Sequence, residues 1–377
     1  MSRPVYLAGF GHCSASGATL GAARDAILAG DVRCASRRVA GKALPFYAFA
    51  ADDAASAETW QLRAQEIICR VGNEVRGGCD ISDSEWSQAG LFFASSSFQI
   101  GALEFAAREG RTEFPPAADF ASKAAHWLGI ATSPWCFATA CTSSLSALDA
   151  AATMIRAGVL RRALVLGVEL PNLTSLAGFA ALDLLSTNAC RPLDRQRDGL
   201  VLGEAVAAVW LSDEPGNGLW GDWRVAGIDA ALDRHSATGP NPDGVLIADV
   251  MARALSNAGM SAADIDLVKL QAAGSLAVDR AEGIAIRRVF GERPPALVSL
   301  KSFFGHMLGA SGTVEFSALA ACLAHDMVPA TAGFSVMDPD IGLAPVSTAR
   351  SAQVGKILFN LIGFGGSVVS LVVERAS

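Results

Sequence analysis

Short uncharged runs alternate with helical patterns along almost the whole chain. In the first part, Val5–Ala8, Ala89–Ser95, Phe137–Ala140, Ala163–Gly167 and Val206–Leu211 read as strands. Thr19–Ala29 reads as a helix closed by Gly30. Another follows Cys141 to about Ala157 and is closed by Gly158. In the second part, Gly244–Asn257, Asp279–Phe290 and Ser311–Ala324 have helical spacing, the first two ended by Gly259 and Gly291. Leu267–Leu270, Ala296–Ser299, Ile357–Asn360 and Val368–Val373 read as strands, and Lys301–Gly309 as a loop. Strand–helix alternation of this kind predicts an α/β fold. The pattern breaks most softly at Gly239-Pro240-Asn241-Pro242, which predicts halves at 1–238 and 239–377. The halves share element order but no short repeat.

Composition narrows the picture. The chain has 377 residues, 51% hydrophobic and 18% charged, which suits a large core rather than disorder. A mean hydropathy of +0.34 raises the question of a membrane. The longest uncharged stretches are Trp127–Leu148, broken by Pro134, and Ile357–Val373, broken by Asn360, Gly363, Gly365 and Gly366. Interruptions like these predict strands buried on both faces, not membrane spans. The net charge of −7 argues against nucleic acid as a partner. The N-terminus shows no apolar core of a secretory leader. The eight cysteines include no C-x-x-C pair, which removes the usual zinc spacings. They predict a reducing cytoplasm, with most cysteines acting as small buried apolar groups. No metal or cofactor is expected.

Four segments carry candidate chemistry. Gly9-Phe10-Gly11 follows a strand, but Ser14 stands where a dinucleotide fingerprint needs its third glycine, so that signal is weak. Cys141 lies at a strand-to-helix junction, where the helix N-terminus favours thiolate and free N–H groups can hold an oxyanion. Taken alone, it is more simply a buried structural cysteine. His306 sits in a loop between a strand and a helix, where α/β sites gather. His12, His126, His235 and His325 have no such setting. Gly363-Phe364-Gly365-Gly366 is either a plain hairpin turn or a place where backbone approaches a ligand. The charged loop Arg191–Gly199 reads as ion-paired or solvated.

In order along the chain, these segments resemble the β-ketoacyl-acyl carrier protein synthases of the thiolase superfamily. The resemblance runs from Gly9-Phe10-Gly11 through Ala140-Cys141 to Cys190–Asp194 and Arg197–Glu204. It continues through Lys301-Ser302 and Gly305-His306 to Gly363–Gly366. It implies a thiolase fold of two similar halves in a five-layer αβαβα arrangement, acting as a dimer on acyl carrier protein. It also implies that Cys141 takes an acyl chain as a thioester and attacks as an activated nucleophile. His306 would be one of two histidines that help decarboxylate malonyl-carrier protein, supported by Lys301 and Glu315. The N–H groups of Cys141 and Phe364 would form an oxyanion hole, with Phe364 gating the pocket.

One departure stands out. The second histidine of the family opens a His-Gly-Thr-Gly-Thr segment. The corresponding stretch here is Gln271–Asp279, and with Gly274 and Asp279 aligned, Ala273 falls at the histidine in a loop two residues short. Ser144 also replaces a glycine. Alanine offers neither proton nor hydrogen bond, and losing one such group costs on the order of 10²–10³ in rate. Three readings follow. One is a chain-length-factor-like subunit, of the kind found in polyene, aryl-polyene and aromatic polyketide pathways, paired as a heterodimer with a complete ketosynthase. Another is a divergent ketosynthase, a homodimer that condenses acyl and malonyl thioesters with Cys141 and His306. The third is a non-condensing acyl-binding or acyl-transfer protein. An acidic carrier protein calls for a basic patch, for which Arg37-Arg38, Arg161-Arg162 and Arg287-Arg288 are candidates.

Overall fold

The structure is a computed structural model that describes residues 3–49, 55–216 and 218–376. Its main sheet has ten strands: β1 (Tyr6–Ser14), β2 (Gly90–Ala94), β3 (Trp135–Phe137), β4 (Arg162–Glu169), β5 (Ala205–Ser212), β6 (Trp223–Leu232), β7 (Leu267–Lys269), β8 (Ala296–Val298), β9 (Lys356–Ile362) and β10 (Ser367–Arg375). At its middle, β1 and β6 pair only through Tyr6 and Leu7 opposite Arg224 and Trp223. It is therefore two five-stranded sheets that touch at a corner. Outward from that corner the orders are β1-β5-β4-β2-β3 and β6-β10-β9-β7-β8. In each, the first two pairings are antiparallel and the last two parallel. The halves thus repeat one topology, although β6 lies ahead of the division expected at Gly239.

The longer helices are α1 (Leu20–Ala29), α2 (Ala57–Gly78), α3 (Ile100–Arg108), α4 (Ala117–Leu128), α5 (Ser143–Arg156), α6 (Leu173–Ala181), α7 (Val245–Asn257), α8 (Leu276–Phe290) and α9 (Ser311–Leu323). They sort into layers through alternation in the strands. Leu91 and Phe93 of β2 join a core with Ile68 and Val71 of α2 and Phe120 of α4. Phe92 points the other way, into a core with Leu145 and Leu148 of α5 and Val314 and Leu319 of α9. In β9, Phe359 joins that central core while Leu358 packs against Met251 of α7 and Ile286 of α8. Strands buried on both faces need apolar residues at every position, which explains the uncharged runs. The result is the five-layer αβαβα thiolase arrangement. Helix α9, between the sheets, is buried at all thirteen residues.

Some expectations change on the structure. Gly9 and Gly11 form no turn, because β1 runs straight through them. A Cβ on Gly11 would collide with the Val71 carbonyl, so this glycine lets α2 cross the strand closely. Gly227 of β6 does the same under the Ala254 carbonyl of α7, at the equivalent place in the other half. Trp127–Leu148 is not a doubly buried strand. It holds the end of α4, the three-residue β3 and the start of α5, and Trp135 is 38% exposed at the sheet edge. Four cysteines are buried, but Cys34 and Cys136 are exposed. Lys301–Gly309 contains a helical turn at Lys301–Phe304. Among the described residues, no helix is long and apolar enough to cross a membrane, and no cluster of side chains could hold a metal ion.

Candidate active site

The two halves bring equivalent helix starts together between the sheets. Ahead of α5, Ala140–Thr142 forms a 3-10 turn, and ahead of α9, Leu308–Ala310 forms another. Ala140 and Leu308 both hold left-handed backbone, at φ 51° and 41°, a conformation that costs energy in residues with a Cβ and gathers at functional sites. Ser144 on α5 accepts a hydrogen bond from Gly312 N at 2.8 Å. It thereby caps the start of α9, which has no side-chain cap of its own.

Cys141 is 3% exposed. His306 Nε2 lies 3.0 Å from its Sγ, and Nδ1 lies 3.3 Å from Ser311 Oγ. The main chain that carries the imidazole is fixed too, since His306 N donates to Val201 O at 2.7 Å. The thiolate expected at this helix start is not favoured in the structure. Burial pushes the thiol up to about 11, a rise that Glu169 reinforces. The N–H groups of Phe364 and Cys141 and the Lys301 ammonium pull it down, but not far enough. Burial, then Lys301 and Lys269, holds His306 well below the usual imidazole range. At neutral pH a thiol therefore faces a neutral imidazole.

Lys301 and Glu315, the supporting pair that the resemblance implies, form a buried ion pair. Sequence reasoning missed Lys269, which reaches the other Glu315 oxygen at 2.6 Å. The three charges are fully buried. Lys269 Nζ also stands 3.9 Å from the centre of the Phe359 ring. The clue was in the sequence, because a lysine inside the apolar run Leu267–Leu270 needs a buried partner. Glu169 was missed too. It lies at the end of β4 and accepts from Ser96 N, Ser97 Oγ and Gly309 N at the foot of both turns, and burial raises its carboxyl to about 7.

Phe364 follows β9 in the glycine-rich turn. A Cβ on Gly363 would sit 3.1 Å from Cys141 N, so a glycine there lets the turn approach the thiol. The Phe364 ring stacks on Phe179 of α6 at 5.1 Å. Cys141, His306, Phe364, Gln271 and Ala273 line one cavity of about 30 Å³. That is room for about one water and no acyl chain. Among the described residues, His306 is the one imidazole on its wall. The segment Phe98–Phe105 is not part of that wall. It touches the site through its neighbour Ser96, whose Oγ donates to Ala140 O at 3.1 Å. Of the basic pairs, Arg161 and Arg162 are engaged by Asp213 and Glu214, and Arg287 by Glu292. Arg38 is exposed on a hairpin at Ala35–Phe46. The loop at Arg191–Gly199 is ion-paired through Arg197 and Asp338.

Residues 76–215 match the family described as "Beta-ketoacyl synthase, N-terminal domain", and residues 224–335 match "Beta-ketoacyl synthase, C-terminal domain". The chain belongs to the β-ketoacyl synthase family of the thiolase superfamily. It is 33% identical over 249 residues to 3-oxoacyl-[acyl-carrier-protein] synthase 2 of Mycobacterium bovis, covering 63% of this chain and 60% of that one. It is 32% identical over 250 residues to the tetracenomycin polyketide synthase ketoacyl synthase alpha subunit of Streptomyces glaucescens, covering 63% and 59%. The chain thus spans about three-fifths of the length of these relatives. The fold is shared with the ishigamide ketosynthase/chain length factor, at TM-score 0.86 and 23% identity over 100% of both chains. It is also shared with the ketosynthase ApeO in complex with its chain length factor ApeC from Xenorhabdus doucetiae, at TM-score 0.80 and 22% identity over 99% and 98%.

Proposed function

We propose that this chain is a thioester-handling subunit of fatty acid or polyketide synthesis, paired as a chain-length-factor-like partner with a complete ketosynthase. The observation that carries this reading is a narrow cavity holding one thiol and one imidazole, where condensation in this family uses two histidines. The names of structural neighbours, a ketosynthase with its chain length factor among them, agree with it. In this reading Cys141 accepts the acyl group from an acyl carrier protein, and His306 takes up the thiol proton as sulfur attacks. The N–H groups of Cys141 and Phe364 stabilise the tetrahedral oxyanion. Lys301 and Glu315 hold the local charge, and Phe364 gates entry.

A homodimeric ketosynthase that condenses with Cys141 and His306 is the second reading. The intact 3.0 Å thiol–imidazole contact favours it. The test is carbon dioxide release from malonyl-carrier protein. Alone, the chain should release it at least about a hundredfold more slowly than a complete synthase, in line with the loss of one stabilising group. Release at the complete enzyme's rate would refute the paired-subunit reading in favour of the second.

A further inference from the structure

We propose that Gln271 stands in the place of the second imidazole and binds the substrate's thioester carbonyl, and that Ala273 does not. The inference rests on the thioester reading above. Gln271 is 3% exposed and lines the cavity shared with Cys141 and His306. Its Oε1 is buried and has no hydrogen-bond partner. A buried polar atom left unpaired is costly, so a side chain kept in that state beside a thiol points to a polar ligand that completes it.

The backbone around it is firmly held. Glu282 accepts from Gln271 N at 2.7 Å and Ala272 N at 2.8 Å. Asp279 accepts from Ala273 N at 3.0 Å and Gly274 N at 3.1 Å. Two carboxylates of α8 therefore satisfy four successive N–H groups, leaving the Gln271 amide as the unspent polar group of the loop. Ala273 brings only a methyl group to the same wall, and its carbonyl already accepts from Cys190 Sγ at 3.4 Å.

The sequence fits this placement without a gap. When Gly274 is matched to the second glycine of His-Gly-Thr-Gly-Thr rather than the first, Gln271 falls under the histidine and Ser275 under the last threonine. The apparent two-residue shortening disappears.

The chemistry follows from the carboxamide. It carries N–H donors and a carbonyl acceptor but cannot deliver a proton near neutral pH. A half-turn about its last bond presents Nε2–H to a carbonyl oxygen. In malonyl decarboxylation the bond from Cα to the carboxylate breaks, carbon dioxide leaves, and the electron pair moves to the enolate oxygen. That oxygen would accept hydrogen bonds from Gln271 Nε2 and His306 Nε2. The amide positions the substrate and stabilises charge, but less strongly than an imidazole that can share its proton.

The test compares Gln271→His, Gln271→Glu and Ala273→His with the parent. Two rates are measured: carbon dioxide release from malonyl-carrier protein, and acylation of Cys141 by acyl-carrier protein, followed by intact mass. Gln271→His should raise release at least tenfold. Gln271→Glu, which keeps the size but repels an enolate, should lower it at least tenfold. It also serves if the histidine variant fails to fold. Ala273→His should not raise release, since an imidazole there fills the cavity without taking the place of the Gln271 amide. A gain from Ala273→His equal to that from Gln271→His overturns the proposal. So does an unchanged release in folded Gln271 variants whose Cys141 is still acylated at the parental rate, and that result leaves the thioester reading standing. Absence of acylation in every form, the parent included, brings down the reading and this inference with it.

Discussion

At the scale of single residues, the site depends on how burial acts on two titrating groups. A helix start favours a thiolate at Cys141, but removal from water outweighs the two N–H groups and the lysine, leaving the thiol up at about 11. Its reactivity should follow the thiolate fraction. Because the folded pKa is raised, alkylation by iodoacetamide should climb about tenfold per pH unit between pH 7 and 10 and level off only near 11. Intact mass against pH reads this directly, with Cys141→Ala as the control for the exposed Cys34 and Cys136. A plateau already reached at pH 7 would mean that the thiolate is stabilised in the free protein. The sequence singled out Cys141, His306 and Lys301 because each sits in an ordered run of motifs, and Glu315 because it matches the acidic residue of the family it resembles. It left Lys269 and Glu169 unread because buried charges are defined by their partners, and Glu315 lies 46 residues from Lys269 along the chain. The balance at Cys141 was equally hidden, since desolvation belongs to the packed site and not to the helix start.

At the scale of elements, most strands and helices were legible from uncharged runs and closing glycines. Helix α1 shows why: Thr19 Oγ1 caps its start, and Gly30, at φ 70°, closes it. The strand β6 was not legible, because Gly227 and Asp229 break its apolar pattern, and its partner β10 lies some 140 residues on. The turn at Gly363–Gly366 was readable as glycine-rich, but its nearness to Cys141 was not. In the proposed reading, with Phe364 as the gate, that turn is where the narrow cavity would widen for substrate. Phe364 is flanked by Gly363 and by Gly365 at φ 73°, and its ring is held by stacking on Phe179. Stacked pairs are worth roughly 0.5–1.5 kcal/mol beyond their buried area, little enough for an acyl thioester to displace. Phe364→Ala should therefore expose the thiol. Alkylation of Cys141 at pH 8.5 should quicken at least about fivefold, the equivalent of about 1 kcal/mol, while the melting temperature moves by only a few degrees. An unchanged rate would place the barrier elsewhere, with Leu184 and Leu200, which also line the cavity, as the next candidates.

At the scale of the whole molecule, the two sheets end differently. β8 is largely buried, whereas β3 presents Trp135 and Cys136 to solvent at an open edge directly ahead of the Cys141 turn. An exposed aromatic edge strand is a template for pairing, and soluble proteins rarely leave one uncovered. We expect the partner to cover it by extending the sheet across β3. The same interface would bring the α3 region to the mouth of the site, where Phe98 holds a left-handed backbone at φ 47° and Ser96 touches the nucleophile turn. Co-expression with a complete ketosynthase should give one stable 1:1 complex, more soluble than either chain alone, read by light scattering after size exclusion. Cys136→Pro removes a donor from the open edge and should dissociate that complex while each chain stays folded by circular dichroism. Small-to-large substitutions along Gln99–Leu103 should shorten the product without abolishing synthesis. A homodimer that extends acyl chains unaided, indifferent to those substitutions, would leave the chain as a ketosynthase working with a single histidine. In that case the covered edge would be its own second copy.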